Sequence, residues 1–227
     1  MANQSYVGRY LNVTPAGAYH CVNVGGSDSA SQILKRILSC RECPKITSEL
    51  IYEWAGIDMS SADEIIRRME SIRWLECVDT PKAVEEGKLE DILPAILEPL
   101  SSSNKVLLAD GLGFYISSVG IPHETAEELS ALSADLSMLS ERHQGLLQGN
   151  LNMSSSNWGL VDAGGFGQIA FWPLKIDCEM FYLVTMGMPT LERAEFAQLI
   201  WVLHTRYASN VNIHSTIDTT LLNETTG

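Results

Sequence analysis

Positive charge, aromatic residues and long apolar runs are all scarce in this chain. Lysine and arginine total 15 in 227 residues against 28 acidic residues, a net charge of −13. A phosphate-binding surface needs clustered cations, so this balance argues against a nucleic-acid partner. It suits a partner with a basic face. No apolar run approaches the ~20 residues that span a bilayer, which argues against membrane insertion. The opening, MANQSYVGRYLNVTPAG, lacks a basic start followed by an apolar run, so no signal peptide is expected. Cysteine is used sparingly: Cys21, Cys40, Cys43, Cys77 and Cys178 make an odd number in a chain large enough to fold without disulfides. Reduced thiols and a cytoplasmic location are the simplest expectation.

Reactive constellations are equally scarce. Cys40-Arg41-Glu42-Cys43 has the spacing of half a zinc site, but tetrahedral zinc takes four ligands and no second pair follows. The residues read as ordinary thiols at a helix end. The run Asp162-Ala163-Gly164-Gly165-Phe166-Gly167 is glycine-rich. A phosphate cradle would follow a strand and open a helix, whereas this run lies between strand patterns and reads as a hairpin turn. The histidines (His20, His123, His143, His204, His214) are dispersed, and no Ser, His and Asp set is implied by spacing. The expectation is a protein with no catalytic residue, no metal and no cofactor.

What the chain does have is apolar patterning, with 45% hydrophobic residues to build a core. Residues 1–27 form a weakly patterned N-terminal segment. Its first dozen residues are expected to be loosely held, and Ala18–Val24 (AYHCVNV) reads as a short strand ended by Gly25-Gly26. From Asp28 the period becomes helical, with Ile33, Ile37 and Leu38 on one face. A second helix is expected over Thr47–Ala55, with Leu50, Ile51 and Trp54 along one side. A third is expected to open at a capping box, Ser61-Ala62-Asp63-Glu64, with Ile65, Met69 and Ile72 apolar. Trp74–Val78 then alternates like a strand. Three helices, a glycine turn and a strand make residues 28–80 resemble a winged helix-turn-helix domain. In that family the third helix reads DNA, which makes Arg67, Arg68 and Arg73 candidate DNA or partner contacts. Charge opposes DNA: residues 28–79 carry seven Lys or Arg and ten Asp or Glu, a net −3.

After a charged connector containing Pro81, a helix is expected over Leu89–Leu100 with Ile92, Ala95, Ile96 and Leu100 on one stripe. Strand patterns follow at Lys105–Ala109 and Phe114–Val119, joined by the turn Asp110-Gly111-Leu112-Gly113. Thr125-Ala126-Glu127-Glu128 reads as a capping box opening a helix whose Leu129, Leu132, Leu136, Leu139, His143 and Leu146 step by 3, 4, 3, 4 and 3. Three more strands are expected, at Trp158–Asp162, Gln168–Leu174 and Phe181–Met186. A last helix is expected from Pro189-Thr190, carrying Phe196, Leu199, Ile200, Leu203 and Tyr207.

The order helix, two strands, helix, three strands, helix resembles the roadblock/LC7 family over residues 87–209. The residues carrying the likeness are Asp110, Gly113, Ser117-Ser118 and Glu127-Glu128-Leu129. The resemblance implies an α+β fold: a profilin-like α/β/α sandwich with a five-stranded antiparallel sheet, here preceded by the winged-helix-like domain and followed by a flexible tail at 210–227. It also implies a homodimer in which equivalent long helices pack together and equivalent third strands pair. The expected interface residues are Leu129, Leu132, Leu136, Leu139, Trp158 and Leu160. Members of the family serve as scaffolds or as platforms for small Ras-like GTPases, so such a GTPase is the implied partner. A DNA-binding regulator that dimerises through the roadblock domain is the alternative.

Overall fold

In β3 (Val106–Asp110), Val106 and Leu108 face one way and Leu107 the other, and all are fully buried. A strand apolar on both faces must be covered on both, and here helices do the covering. β3 pairs with β4 (Tyr115–Val119) and with β7 (Glu179–Met186). β6 (Gly167–Ile176) and β5 (Trp158–Val161) extend the sheet beyond β7. The result is a five-stranded antiparallel sheet, as the resemblance implied, and its strand order is β4-β3-β7-β6-β5. The computed structural model describes residues 9–23, 29–47, 50, 54, 59–153 and 155–208. No described helix is long and apolar enough to cross a membrane.

One face of the sheet packs on α5 (His123–Arg142): Leu107, Phe171 and Val184 meet Ala126 and Leu129. The other face packs on α4 (Leu89–Leu97) and α6 (Ala194–Tyr207), where Leu108, Leu174 and Leu183 join Leu93, Ile96, Phe196 and Leu199. Each fully buried Leu or Phe contributes about 2 kcal/mol of transfer free energy. In α6 every residue from Leu199 to His204 is buried. A helix buried all round needs cover on its outer side too. That cover comes from α1 (Pro15–Val22) and α2 (Ser29–Ser39), whose Ala18, Val22, Ile33, Leu34, Ile37 and Leu38 belong to the same core.

Several sequence expectations change here. Residues 10–22 are ordered into β1 (Tyr10–Val13) and α1, and Leu11 is fully buried. Ala18–Val22 is therefore helical, not a strand. Thr14 caps α1, its Oγ1 accepting from the Gly17 amide at 3.2 Å, and Pro15 stands in the first turn, where its missing N–H costs nothing. β1 pairs antiparallel with β2 (Leu75–Val78), in register from Tyr10↔Val78 to Val13↔Leu75. The winged-helix expectation is not supported, because the strand after α3 (Met59–Ser71) pairs with the start of the chain rather than with a second wing strand. Ser61 lies inside α3, not at its cap. The helix buries Ile66 and Met69 and leaves Ile72 exposed beyond its end. The helix expected at Thr47–Ala55 falls mostly outside the described residues, although Trp54 is buried.

The C-terminal half needs smaller corrections. α4 buries Leu93, Ile96 and Leu97 and leaves Ala95 exposed, before a 3-10 turn at Glu98–Leu100. α5 starts at His123 behind Pro122, so Thr125 sits in its first turn rather than at the cap. α6 starts at Ala194, after a turn, not at Pro189.

Candidate interaction surface

The two tight hairpins are built alike. At the first, Asp110 Oδ1 accepts from the amides of Leu112 (3.0 Å) and Phe114 (2.9 Å). At the second, Asp162 Oδ1 accepts from Gly164 (2.8 Å) and Phe166 (3.0 Å). Gly113 (φ 87°) and Gly165 (φ 82°) take the left-handed position that each turn requires. Asp-x-x-Gly-Phe is thus one device used twice, and the glycine-rich run is the β5–β6 turn.

The second hairpin presents β5 as the last strand of the sheet. It pairs only with β6 among the described residues, so its outer edge of N–H and C=O groups is open. Leu160 is 60% and Val161 66% exposed. Trp158 points inward, its Nε1 donating to Ser140 Oγ of α5. Leu136, Ser140, Trp158 and Phe171 line a groove of about 420 Å³ between that helix and the sheet.

The leucine seam expected on α5 is split by this packing. Ala126, Leu129, Ser130 and Ser133 are buried against the sheet, and Leu136 is half-buried in the groove. Ser130 and Ser133 donate to the carbonyls of Ala126 and Leu129, which satisfies hydroxyls placed in a tight contact. Leu132 (41%) and Leu139 (37%) remain exposed. They stand three or four residues from Leu136, one helical turn away on the same flank. The groove brings Leu136 and Trp158 together, while Leu132, Leu139 and Leu160 are exposed on α5 and β5. Leu129 is turned inward, away from any partner. His143 and Leu146 fall beyond the helix end, at a turn and in the following π-helical segment Gly145–Asn150.

Of the three candidate arginines, two lie on α3 and Arg73 lies past its end. Arg67 and Arg68 are exposed on α3, beside the buried Ile66 and Met69. Arg73 lies past the helix end in a left-handed turn (φ 58°), where its carbonyl accepts from Thr14 Oγ1. Burial raises the thiols of Cys40 and Cys43, and pushes those of Cys21 and Cys77 up to about 12, which suppresses thiolate chemistry. Among the described residues no group of three or more His, Cys, Asp or Glu is placed to hold a metal.

Among solved structures, the chain is similar to a roadblock/LC7 domain from Streptomyces avermitilis. The TM-score is 0.31 at 13% identity, over 45% of this chain and 81% of that one. No protein-family model matches, and no curated protein matches.

Sequence reasoning missed β1 and its pairing with β2. Four residues of weak alternation carry little signal when the partner strand lies more than sixty positions away.

Proposed function

We propose that this chain is a non-enzymatic, homodimeric scaffold of the cytosol that serves as a platform for a small Ras-like GTPase. The observation that carries the reading is the side of the molecule where the open edge of β5 meets the exposed flank of α5. An exposed sheet edge bearing Leu160 and Val161, beside Leu132 and Leu139, is costly to leave in water. A two-fold partner copy covers both at once: β5 pairs with β5, and α5 packs along α5. The roadblock resemblance of residues 87–209 leads to the same arrangement and supplies the partner class.

Light scattering at tens of micromolar tests the dimer. A monomer at that concentration overturns it. The GTPase is tested separately, by mixing purified dimer with candidate small GTPases in their GDP and GTP states. A complex that forms with one nucleotide state supports the platform role, and failure with every candidate leaves a dimer without it.

A further inference from the structure

Away from the dimer surface, β1, α2 and the start of α6 enclose a cleft of about 380 Å³, a size suited to a small organic molecule. Its floor is apolar: Val13, Ile37, Leu38 and Trp201 are all nearly fully buried. The Trp201 indole N–H is already used, donating to the Cys40 carbonyl at 2.7 Å, so the ring offers the cleft only apolar surface. One wall is polar. Glu76 Oε1 accepts from Asn12 Nδ2 at 2.6 Å and from Lys82 Nζ at 3.3 Å, and among the described residues none donates to Oε2. Glu192 lines the same cleft, exposed and with no ion pair among the described residues.

The charges at this cleft decide what it takes. Among the described lining residues, Glu76 and Glu192 set two carboxylates against the one ammonium of Lys82, which stands 3.3 Å from Glu76. Among the described lining residues an anionic guest would meet one ammonium already paired with Glu76 and two carboxylates, whereas a cationic guest finds a net negative wall above an apolar floor. The net charge of −13 adds a favourable field for cations. We propose that this cleft binds a small organic cation with an apolar body, an alkylammonium group whose nitrogen meets Glu192 and Glu76 while its carbon chain covers Trp201. Such a group is carried by a free amine or by a lysine side chain of a peptide.

The test titrates the full chain with n-hexylammonium and, as the matched anion, hexanoate, following tryptophan fluorescence and melting temperature. Hexylammonium is expected to bind at submillimolar concentration and raise the melting temperature, and hexanoate is expected to do neither. Glu192→Gln, at an exposed position with no ion pair among the described residues, should weaken binding by up to about fivefold, the worth of one partly exposed charge pair. Ala194→Trp, at the exposed first residue of α6, should close the mouth and abolish binding with the far-UV spectrum unchanged. A parallel titration with a short lysine peptide separates the sources: tighter binding than hexylammonium assigns a peptide, weaker binding a free amine. No binding of either cation, equal binding of hexanoate, or undiminished binding to a folded Ala194→Trp variant would overturn the site.

Discussion

The thiol of Cys21 in α1 lies 3.8 Å from Nε2 of His204 in α6, joining residues 183 positions apart inside the core. The imidazole is 2% exposed, and its Nδ1 has no hydrogen-bond partner among the described residues. Burial is the main force holding its pKa down at about 4; Lys35 of α2 adds to the effect, and Asp177 of the β6–β7 turn opposes it.

A pH dependence follows. The unfolded histidine takes a proton near pH 6.5, whereas the folded one resists until about pH 4. Between those values the unfolded state binds more protons, so the His204 contribution to stability should be level between about pH 7 and 8 and fall as pH drops through this window. The full loss is about 3 kcal/mol. Urea melts at pH 7.5, 6.0 and 5.0 read the slope. His204→Leu should flatten it, and an unchanged slope in that variant would assign the effect elsewhere.

Gly17 is held by a close approach. A Cβ at that position would stand 2.1 Å from the Trp74 carbonyl oxygen, which also accepts from the Thr14 amide at 3.1 Å. Gly17→Ala should therefore cost about 1–3 kcal/mol, despite alanine's better helix propensity. Chemical denaturation measures the loss. A neutral or stabilising result would mean that the turn at Arg73–Trp74 moves away freely.

The twin aspartate turns should behave alike. Asp110→Ala and Asp162→Ala each remove an acceptor of two amides, at a cost of about 1–2 kcal/mol. Asparagine at either position keeps an acceptor oxygen and should recover most of the loss in a thermal melt. If alanine and asparagine prove equally harmful, the carboxylate is acting by its charge rather than by its geometry.

Leu132→Asp with Leu139→Asp should convert the proposed dimer to monomer without unfolding it, since both side chains are exposed within one copy. Sedimentation velocity reads the change. Leu129→Asp should instead lower the melting temperature steeply, because it places a charge against the sheet. If all three variants shift only the melting temperature, the α5 flank is not an interface.

The sheet was the most legible part of the sequence. β3, β4 and β7 are short apolar or alternating runs, and the Asp-x-x-Gly-Phe turns announce where two of the hairpins bend. Helix starts were less legible. Ser61 and Thr125 each precede a glutamate three residues on, yet both helices had already begun, at Met59 and His123. A Ser/Thr-x-x-Glu spacing also fits two neighbours on one helix face, so it marks a start only where the preceding residue leaves the helix.

By itself, the sequence determined the five strand segments of the sheet, the two aspartate turns and the acidic balance, because alternation, turn chemistry and charge are properties of neighbouring residues. Only the tertiary structure decided that β1 closes onto β2, that α6 lies buried between the sheet and α1 and α2, and that the α5 leucines divide between sheet and solvent. Those outcomes depend on which distant surfaces meet. A leucine repeat of fixed spacing cannot say which of its members a sheet will cover.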